Sequence, residues 1–283
     1  MTRRLFACCA VLLAGSVAAG WTSDVAAIGD SSPQGRGGRG GRVARKRVLA
    51  WADTRNGQAQ HESVGHALAI IERLGYESGQ WDTFIRTDSN IISKTPKKTD
   101  GSPASGGPTL SNVDAIFFMG HREVPLDPSQ REELLSFVRD GKGFVAAHVG
   151  LTAFESWPEF LDLIGARFDG HPWTQTFTAD VLDASHPACA HLGSEWRWHD
   201  EVYQFRDLRA DAQVLLRVRD GELDLSASGA RPPEFGYPLA WCFAEGAGRV
   251  FSTSLGHFPN AWETPAYLQH LSGGLGWALG AAA

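Results

Sequence analysis

Gly143-Phe144-Val145-Ala146-Ala147-His148-Val149-Gly150 decides how this chain is read. A short apolar run is the mark of a strand buried in a sheet, and it stops abruptly at an imidazole beside a glycine. Such a strand followed by a tight turn has the layout of a nucleophile elbow, in which the nucleophile occupies a sharp strand-to-helix turn. Here His148 holds the elbow, with neither Cys nor Ser at that position. A Cys–His–Glu amidotransferase is therefore excluded.

The same arrangement recurs on either side. Residues 113–119 form a buried strand pattern that ends in Gly120-His121, and residues 249–255 form another that ends in Gly256-His257. Residues 48–52 are a third apolar run, after which His61 stands in the loop or first helical turn. Residues 61–74 carry Val64, Ala67, Leu68, Ile71 and Leu74 at helical spacing, with Gly75 expected just past the end. Residues 76–84 hold the next strand, and 95–108 are a surface excursion rich in Pro, Lys, Ser and Gly. Asp127-Pro128 opens a helix, with a capping residue before Pro at the first helical position, and residues 157–164 form a shorter one closed by Gly165.

Strand, helix, strand, helix, strand predicts an α/β fold with a mostly parallel sheet and helices on both faces. Farther along, 176–182, 202–205 and 212–218 read as strands joined by loops, with a turn at Asp220-Gly221. Residues 238–243 and 249–255 flank Glu245-Gly246-Ala247-Gly248 as a hairpin, and 265–279 close the chain as a helix. These later strands predict antiparallel additions on one side. Ligands of such sheets sit beyond the carboxyl ends of the strands, near a switch in strand order.

The ends of the chain bound its class. Residues 1–27 read as an export signal: Arg3 and Arg4 precede an apolar run at 5–19, too short for a membrane span of about 20 residues. Thr2-Arg3-Arg4-Leu5-Phe6 also fits a twin-arginine signal, so general secretion and twin-arginine export both stay open, with a periplasmic or secreted destination. Residues 28–46, rich in Gly, Arg and Ser, read as a disordered linker, and 47–283 as one domain. Eight of the 26 Lys and Arg and two of the 32 Asp and Glu lie in residues 1–47, so the rest carries 18 and 30, a net charge of −12. An acidic body is a poor nucleic-acid partner. Only Cys189 and Cys242 remain after the signal, so this is no disulfide framework; Cys242 reads as a buried thiol, and pairing of the two stays open.

If the strands are parallel, His61, His121, His148 and His257 line one sheet edge. His121, His148 and His257 are candidate ligands for a divalent transition metal such as zinc. Trp198-His199-Asp200-Glu201-Val202-Tyr203 adds two carboxylates and a phenol. His148, Glu201 and Tyr203 are the catalytic candidates, as acid, base or metal-assisted groups. His61, His171, Trp173 and Asp200 are the substrate-binding candidates, His171-Pro172-Trp173 pairing a ring with an aromatic suited to a sugar face. Asp200 and Glu201 are adjacent, so in a strand only one is expected to point inward. Trp157, Trp198 and Trp262 are further candidates for a carbohydrate pocket. His66, His186, His191 and His270 read as structural or solvated.

Gly143-Phe144-Val145-Ala146-Ala147-His148, Trp157-Pro158-Glu159-Phe160, Leu163-Ile164-Gly165-Ala166-Arg167-Phe168, Gly170-His171-Pro172, Asp200-Glu201-Val202-Tyr203, Gly248-Arg249-Val250-Phe251 and Leu255-Gly256-His257 occur in an order that resembles the ThuA-like (trehalose utilisation) family. The resemblance covers roughly residues 47–280. It implies a flavodoxin-like, class I glutamine amidotransferase-like fold without the nucleophilic Cys, and a role with trehalose and related disaccharides, partly through 3-keto sugars. His121, His148, Glu201, Tyr203 and His257 match recurrent family positions, and His61 and His171 match a subset. The export signal and the 95–108 excursion depart from the pattern and argue against a cytosolic catabolic role.

Three functions follow as alternatives: an enzyme acting on a keto-disaccharide or glycoside by hydrolysis or isomerisation, a carbohydrate-binding protein that stacks sugars on Trp173, Trp198 and Trp262, and a structural relative without an active site. The expected partner is a small sugar, with no nucleotide cofactor and no membrane segment in the mature chain; self-association is left open.

Overall fold

The computed structural model describes residues 44–280 apart from Gln58, Thr99, Val124 and Pro233. The expected export signal and most of the expected linker lie outside the described residues. Among the described residues no helix is long and apolar enough to cross a membrane.

The chain enters through β1 (Lys46–Trp51), which starts at the last residue assigned to the linker, then runs through α1 (Ser63–Ser78), β2 (Trp81–Arg86) and β3 (Ala115–Phe118). It continues with α2 (Pro128–Arg139), β4 (Gly143–Ala147), a 3-10 turn at His148–Thr152 and α3 (Pro158–Ile164). There follow β5 (Arg167–Phe168), β6 (Trp173–Val181), β7 (Glu195–Val202), β8 (Phe205–Arg206), β9 (Gln213–Val218), β10 (Pro238–Glu245) and β11 (Gly248–Thr253). A 3-10 turn at Pro259–Glu263 leads into α4 (Pro265–Ala278). α2 is capped as expected: the Asp127 side chain accepts from the Gln130 amide, and Gln130 returns the bond to the Asp127 amide.

Nine strands form one sheet in the order β2-β1-β3-β4-β11-β10-β9-β6-β7, while β5 and β8 pair separately. β2, β1, β3, β4 and β11 run parallel, and β10, β9, β6 and β7 extend the sheet antiparallel. This is the expected mostly parallel α/β sheet core with antiparallel strands added on one side. β1 alternates its side chains between two cores: Val48 and Ala50 face the side covered by α1 and α4, whereas Leu49 and Trp51 face the side of α2 and α3. β1 has neighbours that follow it in the chain on both sides, so the order switches between β1 and β3, the place where sheets of this kind take their ligands.

Two expectations about elements are corrected. α1 does not stop before Gly75; it runs to Ser78 and ends at Gly79, in the left-handed conformation. Gly75 is needed for packing, since a Cβ there would collide with the Trp81 indole. The strand expected at 202–205 lies mostly upstream, as β7, with only Phe205 and Arg206 in β8. Glu195-Trp196-Arg197-Trp198-His199 mixes charge with indoles, and the apolar-run criterion passes over it, although alternating exposed and buried residues are normal for an edge strand.

Candidate metal and catalytic site

The four histidines noted at strand ends do follow parallel strands: β1 for His61, β3 for His121, β4 for His148 and β11 for His257. His148 takes the elbow with φ of +44°, a left-handed backbone unusual for a residue with a side chain. The turn is held tight by Gly150, where a Cβ would lie 2.7 Å from the Phe118 carbonyl oxygen. The His148 ring is thereby fixed under the strand ends and is fully buried.

His148 Nδ1 lies 2.8 Å from the Ser254 carbonyl oxygen. A carbonyl only accepts, so Nδ1 carries the proton and Nε2 presents a lone pair. That lone pair meets the Tyr203 hydroxyl at 3.0 Å, His257 Nδ1 at 3.2 Å and Glu201 Oε2 at 3.7 Å. His257 Nδ1 is also 3.2 Å from Glu201 Oε2, and the other Glu201 oxygen is 3.4 Å from His171 Nδ1. The His61 ring stands edge-on to three others, with centroids 4.9 Å from His121 and 5.2 Å from both His148 and His257.

One ligand atom from each of His61, His148, Glu201 and His257 falls within 4.8 Å of all the others. Burial pushes His148 well below the usual imidazole range and, aided by neighbouring rings, takes His61 to about 4. Both rings are therefore neutral near pH 7, the form that ligates metal. Burial raises the Glu201 carboxyl, with the Asp200 charge adding to it and His257 opposing. Burial also holds the Tyr203 phenol well above its usual range, so it keeps its proton and donates to His148. The His148 Nδ1–H to carbonyl bond is the outer support common to metal-bound histidines. This donor set can hold a divalent cation.

Other candidates fall around this centre in different ways. His121 meets His61 by its ring and accepts or donates no nearer to the centre; its Nδ1 lies 3.2 Å from the Ala59 carbonyl. His171 is half exposed at the rim. Asp200 and Glu201 do alternate, but both are buried, against the expectation that only one would turn inward. The reason is that the loop after β11 meets both: Asp200 accepts the Gly256 amide at 2.8 Å and the His257 amide at 3.2 Å, while Glu201 faces the His257 ring. With the Trp198 indole N–H and the Glu201 amide also donated to it, Asp200 is a clamp on the His257 loop, with no oxygen turned to solvent.

The expected stacking indoles are also corrected. Trp157, Trp173, Trp198 and Trp262 are all less than 9% exposed. Trp173 donates to the Asp224 carbonyl, Trp198 to Asp200 and Trp262 to the Gly256 carbonyl. These large apolar rings complete the core, and the last three direct their single donor to a backbone or carboxylate partner. Trp262 and Tyr267, which donates to the Leu255 carbonyl, hold the loop that carries His257. Local pattern gave no sign of that role, because both come from the C-terminal elements and meet the loop only on folding. Cys189 and Cys242 are buried free thiols, and burial raises each to about 12.

The family model for trehalose utilisation, ThuA, matches residues 47–278. The chain belongs to the ThuA family. Two solved ThuA-like proteins share its fold: one from Bacteroides uniformis with TM-score 0.65 and 17% identity, covering 86% of this chain and 95% of that one, and one from Parabacteroides merdae with TM-score 0.62 and 19% identity, covering 83% and 90%. A cytoplasmic protein from Salmonella typhimurium is similar at TM-score 0.52 and 12% identity, covering 83% of this chain and 99% of that one. No protein with a curated description matches. Membership in the ThuA family gives the chain a carbohydrate-related role.

Proposed function

We propose that this ThuA-family chain is an exported enzyme acting on an oxidised disaccharide or glycoside, with His61, His148, Glu201 and His257 holding a divalent transition metal such as zinc. The observation that carries the reading is the convergence of those four ligand atoms within 4.8 Å. Imidazole nitrogens with one carboxylate oxygen suit zinc and its neighbours. When bound, the ion supplies Lewis acidity toward a sugar carbonyl.

The chain's own groups provide the proton chemistry. The Glu201 oxygen turned toward His171, rather than toward His148 and His257, is placed to take and return a proton. His171, half exposed and 3.4 Å from Glu201, connects that carboxylate to solvent. Tyr203 is a protonated donor beside the centre. Hydrolysis or isomerisation of a 3-keto sugar uses these parts: an acid or base at the reacting carbon or oxygen, and a polarised carbonyl. The buried indoles weigh against a role in sugar binding alone, which needs exposed aromatic faces. Residues 1–27 would take the chain out of the cytoplasm by the general or twin-arginine route.

Elemental analysis of the purified exported protein, with turnover of 3-keto-trehalose measured alongside, tests the reading. One transition-metal ion per chain, lost together with turnover in a His148→Ala, His257→Ala double variant, is expected. Metal-free protein that turns over the sugar would leave acid–base chemistry alone, and an inert protein with no metal would overturn the proposal.

A further inference from the structure

A second polar feature lies beside the centre and takes no part in it. Between β9 and β10, Gly229 and Arg231 fold against Asp169 and Gln204, and a cleft of about 90 Å³ opens there. Gln204 is its floor: buried, it donates to the Asp169 and Gly229 carbonyls at 3.0 Å and accepts the Arg231 amide at 2.8 Å. Arg231 Nε is held 2.7 Å from Asp169 Oδ2, yet the Arg231 side chain is 65% exposed. Its two terminal nitrogens take no hydrogen bond among the described residues. The guanidinium plane is thus oriented by one contact and leaves its outer donors free. Phe235 and Tyr237 form an aromatic wall, and the Tyr237 hydroxyl is fixed on the Arg231 carbonyl at 2.6 Å.

Charge decides the ligand class. Asp169 and Glu234 balance Arg206 and Arg231 around the cleft, so no net field favours an anion or a cation. The outer Arg231 nitrogens and the second Asp169 oxygen, held in place beside aromatic rings, match the vicinal hydroxyls and apolar face of a neutral sugar ring. Position links cleft and centre. His171 is two residues from Asp169, a reach of about 7 Å of extended chain, and Gln204 directly follows Tyr203.

We propose that this cleft, centred on Asp169, Gln204 and Arg231, binds the second, non-reacting sugar ring of a neutral disaccharide. The assignment rests on the carbohydrate-directed reading above and adds where the rest of the substrate lies. Binding energy from that ring would orient the reacting one at the histidines.

The test is sugar binding to the full chain after chelation, by calorimetry and saturation-transfer NMR, with trehalose, glucose and glucuronate as probes. Trehalose is expected to bind more tightly than glucose, and Arg231→Ala and Phe235→Ala are each expected to weaken trehalose roughly tenfold. Circular dichroism and metal content matching the parent protein would show that both cleft variants are folded. Trehalose affinity indifferent to both substitutions, a preference for glucuronate, or no binding by any of the three sugars would overturn the cleft assignment. Failure of the metal-centre reading shows separately, as missing metal or turnover in a protein that still binds trehalose.

Discussion

His148 and His270 are both wholly buried imidazoles, and they receive the two neighbouring residues at the end of β11 in different ways. His270, in α4, has both nitrogens engaged: Nδ1 with the Ala188 carbonyl at 2.9 Å and Nε2 with the Thr253 hydroxyl at 3.2 Å. Its surroundings are Phe251, Trp196 and Tyr267, and it joins a helix to the sheet. His148 engages one nitrogen with Ser254 and turns the other toward Tyr203, Glu201 and His257. Burial alone therefore does not mark a functional histidine. The sign is a lone pair pointed at other groups that can ligate or carry protons.

The comparison breaks most sharply on alanine substitution. On the proposed metal-centre reading, His148→Ala is expected to abolish metal binding and lower turnover by about 10²–10⁴-fold, the range for loss of a directly acting group. His270→Ala should leave metal stoichiometry intact, and loss of metal in that variant would erase the distinction drawn here.

Stability against pH sharpens it next. Burial lowers His270 from 6.5 to about 4. Its folded pKa is depressed, so its contribution is complete above about 6.5 and is lost as pH falls toward 4, where the unfolded chain binds a proton that the folded chain refuses. A shift of this size corresponds to about 3 kcal/mol. Urea titrations at pH 7 and pH 4.5 should therefore show a smaller stability loss on acidification in His270→Leu than in the parent protein. Equal losses would mean that His270 does not carry this linkage.

Asp200→Asn examines the support of the His148 side. It keeps the shape but weakens the clamp on the Gly256 and His257 amides, and metal affinity is expected to fall about 10–100-fold, as for outer-shell partners elsewhere. Competition with a chelator measures it; unchanged affinity would show that the loop holds its place without the carboxylate. The smallest effect belongs to Trp173→Phe, which loses one hydrogen bond to the Asp224 carbonyl and should cost about 1 kcal/mol by thermal melting.

The strands that carry His121, His148 and His257 were legible because parallel strands are covered on both faces and read as unbroken apolar runs. β7 was misplaced because an edge strand exposes Glu195, Arg197 and His199 between its indoles. The sequence marks His61 as a pocket residue and not as a member of the candidate metal set. Its loop places the ring by contacts with other strand ends, which no spacing within the loop encodes. The Trp residues were legible as aromatics but not as buried ones, since a loop position in the chain says nothing of what later folds over it.

By itself the chain determines its class: apolar runs alternating with helical patterns specify a mostly parallel sheet, and the residue after each run is placed at one edge by the direction of the strands. Family membership is written in the same local motifs. What only tertiary structure decided is which edge residues meet and what each one holds. His148 and its partners Ser254 and His257 are 106 and 109 positions apart, and Asp200 reaches Gly256 across 56. Hydrophobic burial drives the sheet together without regard to sequence distance, whereas a ligand set depends on directions and on a few ångströms. Those are set only when the whole core has packed.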